Sequence, residues 1–146
     1  MSRRTLVRRY ILRKLGGCMS EKIADFSLNH AGTTYTRNEA GQVVSYLNFE
    51  GEVSAYGGVF GTLSVIENFT EASATSGTCS WIGEAMNEDG TRLFGGAEGT
   101  WEQEPPEHNY KIVLEGEESN GRKTRSEGTI VLGDTVTFKG TVYTRD

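Results

Sequence analysis

Apolar and polar residues alternate along most of the chain from residue 32 onward. A two-residue period is that of half-buried strands, and β-branched and aromatic residues fill the alternating positions. Turn-forming clusters interrupt the runs: Asn38-Glu39-Ala40-Gly41, Asn87-Glu88-Asp89-Gly90, Glu104-Pro105-Pro106-Glu107, Ser119-Asn120-Gly121 and Gly133-Asp134. They predict strands over residues 32–37, 42–53, 59–67, 74–86, 91–103, 109–118, 122–132 and 135–144. Residues 23–29 are the one stretch whose period fits helix and strand equally. Strands joined in sequence by short turns predict an all-β protein, a single antiparallel up-and-down β-barrel of about eight strands.

Two C-terminal turns allow a register to be calculated. Asn-Gly is the strongest two-residue hairpin signal; read so, Asn120-Gly121 sets Leu114 opposite Glu127 and Tyr110 opposite Val131. Gly133-Asp134, read as a second two-residue turn, sets Thr129 opposite Phe138 and Arg125 opposite Val142. Opposed side chains share a face. Both hairpins therefore predict one inner face of Tyr110, Ile112, Leu114, Thr129, Val131, Val136, Phe138 and Val142, with Arg125 and Glu127 among them. The central hairpin is not oriented by its sequence. An even loop at Asp89-Gly90 groups Cys79, Trp81, Phe94, Glu98 and Glu102 on one side, and Ile82, Glu84, Leu93, Ala97 and Trp101 on the other. A sheet half apolar on both sides suggests an outside partly covered by another subunit or by the N-terminal segment.

Glycine recurs inside the strands before threonine: Gly32-Thr33, Gly61-Thr62, Gly77-Thr78, Gly99-Thr100, Gly128-Thr129 and Gly140-Thr141. Bending of a closing sheet explains these positions better than approach to a ligand.

Charge divides the chain. Residues 1–18 carry six Arg and Lys side chains and no acid, and the remaining 128 residues carry 9 basic and 20 acidic ones. A body so acidic is a poor partner for nucleic acid or an anionic membrane. The leader lacks the apolar stretch of a secretory signal. It is expected to be disordered or weakly helical, or absent from the natural product, since Met19-Ser20 reads as a start. The predicted domain is then residues 19–146, cytoplasmic, with Cys79 as its lone thiol. No metal-ligand spacing, phosphate loop or dinucleotide fingerprint occurs, so no cofactor is expected.

Tyr56-Gly57-Gly58-Val59-Phe60-Gly61-Thr62-Leu63, Glu98-Gly99-Thr100-Trp101-Glu102 and Ser126-Glu127-Gly128-Thr129-Ile130 resemble small bacterial barrels of the allene oxide cyclase shape, over roughly residues 22–146. The resemblance implies a lipocalin-like barrel around an apolar cavity, with no catalytic position carried over.

Candidate chemistry follows from the calculated face. A carboxylate at Glu127 facing inward is a candidate acid or base, and Arg125 two residues away is its natural partner. Arg125, Tyr110, Trp81, Trp101, Glu98 and Phe138 are candidate ligand contacts. His108 is expected to cap a turn, His30 to lie exposed, and Cys79 to be an inert core residue. Three functions remain open: a barrel binding a small, largely apolar ligand; a cofactor-free isomerase, cyclase or lyase working through Glu127; and a filled structural barrel that only forms homo-oligomers.

Overall fold

The computed structural model describes residues 20–146. The expectations for the basic leader, Cys18 included, lie outside the described residues. Eight strands follow in order: β1 (Lys22–Arg37), β2 (Val43–Val53), β3 (Gly57–Glu67), β4 (Ser76–Met86), β5 (Arg92–Gln103), β6 (Asn109–Glu118), β7 (Lys123–Leu132) and β8 (Val136–Thr144). Each is antiparallel to the next, and β8 returns to β1, giving a closed up-and-down barrel. The ambiguous residues 23–29 are the first half of β1. There β1 pairs with β8, and from Asn29 onward, through a bulge between His30 and Gly32, it pairs with β2. The ends of this seam touch: the Thr144 N–H donates to the Glu21 carbonyl (2.8 Å), and the Glu21 N–H donates to Thr144 Oγ1 (3.0 Å).

One device recurs at the turns. The Glu118 N–H donates to the Arg122 carbonyl and the Gly121 N–H to the Glu118 carbonyl, both at 2.8 Å, with Gly121 at φ +92°. Three residues thus separate the strands. A type I turn followed by one left-handed glycine closes such a loop, whereas a two-residue Asn-Gly turn needs both residues left-handed. Asn120 is not left-handed here. Asn38 and Gln42 close the same loop with Gly41 at φ +79°, and Asn87 and Thr91 close it with Gly90 at φ +88°. Three residues, Gly133-Asp134-Thr135, also separate the paired Leu132 and Val136.

The extra residue in each turn corrects the calculated register. Tyr110 faces Ile130, Leu114 faces Ser126, and Glu127 lies between Val113 and Thr141. The two shifts cancel across β7. The inner faces of β6 and β8 are those expected, but β7 is turned over: Thr124, Ser126, Gly128 and Ile130 point inward, while Arg125, Glu127, Thr129 and Val131 point out. The central turn is odd as well, and it sorts the ambiguous hairpin cleanly. Cys79 faces Gly99, Trp81 faces Ala97, Ala85 faces Leu93 and Gly77 faces Trp101, all inside. Ile82, Glu84, Phe94, Glu98 and Glu102 take the outside.

The interior is closed by side chains at mid-height. Phe49, Leu63 and Ile112 are the largest fully buried residues. Phe138 sits among three rings, with centroids 4.9 Å to Phe26, 5.5 Å to Phe49 and 6.2 Å to Trp81. Such tilted and edge-on contacts are the preferred aromatic geometry.

Candidate functional site

Above Phe138 the packing opens. A cavity of about 120 Å³ lies at the end of the barrel carrying the β2–β3, β4–β5 and β6–β7 turns. Its apolar wall includes Phe26, Leu28, Trp81, Ala97, Leu114 and Phe138, and Thr124 and Ser126 add hydroxyls from β7. An apolar cavity of similar size, about 150 Å³, holds benzene in an unrelated protein, so the space suits one ring or a short chain.

Trp81 forms this wall because of the glycines beside it. Its indole lies across Gly61 on β3, where any Cβ would overlap the ring, and its Nε1 approaches the Cβ position of Gly83. Gly95 on β5 differs. It lines the cavity, and a Cβ there would meet no atom within 4 Å. The other inward strand glycines of the described residues are crowded by a neighbouring strand or an aromatic ring; Gly95 opens onto empty space.

A buried polar cluster stands at the mouth. Glu118 continues the inward alternation of Ile112, Leu114 and Gly116, and only 7% of it is exposed. The Tyr56 hydroxyl donates to Glu118 Oε2 (2.5 Å), Arg122 Nε donates to Oε1 (2.6 Å), and Arg122 Nη2 donates to the Tyr56 oxygen (3.3 Å). Burial, and then the Glu118 carboxylate, push the Tyr56 phenol far above its usual range. The Glu118 carboxylate raises the Arg122 guanidinium in turn. Both shifts favour the hydrogen-bonded species. Tyr56 reaches inward from the loop between β2 and β3, in which Ala55 adopts φ +71°. A left-handed alanine costs roughly 1–2 kcal/mol, and such strain concentrates where the surrounding structure fixes a functional geometry.

The residues singled out from sequence divide three ways. Trp81 and Phe138 line the cavity. Trp101 and Tyr110 face inward and meet at 5.9 Å, but toward the β5–β6 end, away from it. Tyr110 holds its inward place, since the alternation of β6 fixes it independently of the turn. Glu98, Arg125 and Glu127 lie on the outer surface. Arg125 bridges Glu127 and Glu115, each at 2.9 Å, and the Glu127 side chain is 47% exposed. The expectation that Glu127 faces the interior is therefore corrected; a solvated, ion-paired carboxylate has lost the burial that singled it out. His30 is also corrected: it is half-buried, bonded to Thr33 Oγ1 (2.6 Å) and edge-on to Phe49. His108 stacks on Tyr110 and bonds its hydroxyl (2.9 Å). Cys79 is buried, and burial pushes its thiol up to about 11.

Sequence reasoning passed over Tyr56, Glu118 and Arg122. The alternation of β6 reaches Glu118 directly, but the assumed two-residue turn set it opposite Lys123 instead of Arg122. No group of His, Cys, Asp and Glu among the described residues is arranged to hold a metal ion. Comparisons with protein families, with curated proteins and with solved structures find nothing that matches this chain.

Proposed function

We propose that this protein binds a small, largely apolar ligand inside the barrel, entered at the end framed by Tyr56 and Glu118. The observation that carries the reading is Gly95: an inward glycine beside an unfilled space, in a barrel whose other inward glycines are packed shut. Interior space in a β-barrel of this size is either filled by side chains or used for one small molecule. Apolar walls with a few converging polar groups are the usual composition of such sites. The cavity admits only a ligand of one ring or a short chain, or the apolar end of a longer molecule.

The likeness to barrels of the allene oxide cyclase shape extends this reading, since it too implies an enclosed apolar cavity. It supplies no acid or base, and with Glu127 on the outside the binding reading stands ahead of the catalytic one.

The test is Gly95→Leu. Its backbone does not require glycine, and the new side chain would point into the cavity. Toluene titrated into the wild-type protein should shift the NMR signals of the Trp81 indole N–H and the Gly83 and Ala97 amides. The variant should fold and lose those shifts. Equal responses in the two proteins would remove the cavity as the binding site, and no response in the wild type would refute the reading.

A further inference from the structure

Resting on that reading, we infer that the ligand class is a small primary amine, its ammonium group held at Glu118 and its apolar body lying against Trp81 and Phe138.

The charges that line the cavity have one sign. Glu118 is the one charged side chain of the lining that points inward, since Glu84 and Glu117 face outward on their strands, and no Lys, Arg or His among the described residues lines the cavity. Arg122 pairs with Glu118 at 2.6 Å but is not among the residues that line the cavity. A carboxylate head inside the cavity would meet the Glu118 carboxylate, with no cation on the lining. An ammonium head would meet acceptors.

Glu118 also retains the capacity to accept. A carboxylate offers about four lone-pair sites, and one bond on each oxygen is occupied, by Tyr56 and by Arg122. These two bonds fix the carboxylate against the cavity wall while leaving acceptor positions unused. An ammonium group brings three donors and no acceptor, the complement of that arrangement. Phe26, Trp81 and Phe138 supply the apolar wall against which the body of such a ligand would lie.

The experiment compares benzylamine, benzyl alcohol and benzoate at neutral pH, read by the same NMR signals. These share one ring and differ in the head group. The amine should bind at least tenfold more tightly than the alcohol, and benzoate should not bind. Glu118→Gln keeps the shape and removes the charge; it should bring the amine to the level of the alcohol, and a circular dichroism spectrum like that of the wild type shows that the variant folds. Thr124→Lys, adding a cation to the lining, should weaken the amine in a protein whose Glu118 is intact.

Benzoate binding as tightly as the amine would overturn the inference and make Arg122 the anchor, with the apolar site intact. Amine and alcohol binding equally in wild type and Glu118→Gln would overturn it too, again leaving the apolar site. Failure of all three ligands, and of toluene, would instead overturn the reading on which the inference rests.

Discussion

Removing the Glu118 carboxylate tests whether the cluster at the cavity mouth acts as one unit. Glu118→Ala deletes the acceptor of two charge-assisted bonds, from Tyr56 at 2.5 Å and Arg122 at 2.6 Å. Hydrogen bonds to charged groups contribute roughly 1.5–3 kcal/mol each, and breaking a buried ion pair costs about 3–5 kcal/mol. The Arg122 side chain is 39% exposed, so water recovers part of its loss. That sets the expectation near the lower end, about 3 kcal/mol. Tyr56→Phe removes one bond and should cost about 1–2 kcal/mol. In the double variant the phenol has no carboxylate left to lose, so the combined cost should fall at least about 1 kcal/mol short of the sum. Equilibrium urea unfolding measures all four proteins. With a slope of about 1–3 kcal/mol per molar urea, Glu118→Ala should lower the midpoint by roughly 1 M or more. Additive costs, or a Glu118→Ala cost below about 0.5 kcal/mol, would refute the reasoning.

Three further outcomes follow from the described geometry. Cys79 should resist a thiol reagent in the native protein at pH 8 and react once unfolded. Its thiol is raised to about 11 in the fold, so the stability it contributes is complete below the unfolded value near 8.5 and is lost as pH rises toward 11; rapid native labelling would contradict this. Gly90→Ala and Gly121→Ala should each cost about 1 kcal/mol by thermal unfolding, and the Asn variants less. Both glycines have positive φ with open space at the Cβ position, so the cost is conformational and falls least on Asn. Glu127→Gln should leave the free energy of unfolding within about 0.5 kcal/mol of wild type, as for other exposed ion pairs; a larger loss would mean that the outward placement is wrong.

The strand count, chain-order topology and closed barrel were legible from alternation and turn clusters, because those signals are local. The facing of β7 was not. Asn120-Gly121 supports two turn types that differ by one residue, and in a sheet one residue exchanges the two faces. The choice lay in the backbone angle of Asn120, which residue type does not dictate. Three-residue turns leave the inward positions odd-numbered along β2–β5 and even-numbered along β6–β8, a regularity hidden while the turns were counted as two. The candidate site was legible in part. Trp81 and Phe138 stood out as large apolar residues, but the mouth joins Tyr56 to a carboxylate 62 residues away. No motif spacing announces a pair of that kind. Glu127 drew attention by being charged on a face read as apolar; Glu118 occupies that situation in the structure.

The β1–β8 seam implies that the ring has no privileged origin. Every strand has the same two neighbours wherever the chain is cut, and backbone groups of Glu21 and Thr144 already touch. A short peptide could join β8 to β1, with new termini opened at the exposed loop of Glu88 and Asp89, and each native pairing would survive; such tips are where circular permutation succeeds. What would change is the order of assembly. In the natural connectivity the closing seam joins the strands farthest apart in sequence, so its loop-closure entropy is the largest of the eight pairings. A permuted chain would make that seam a local hairpin and transfer the long closure to β4 and β5, separating the architecture of the barrel from the route by which it forms.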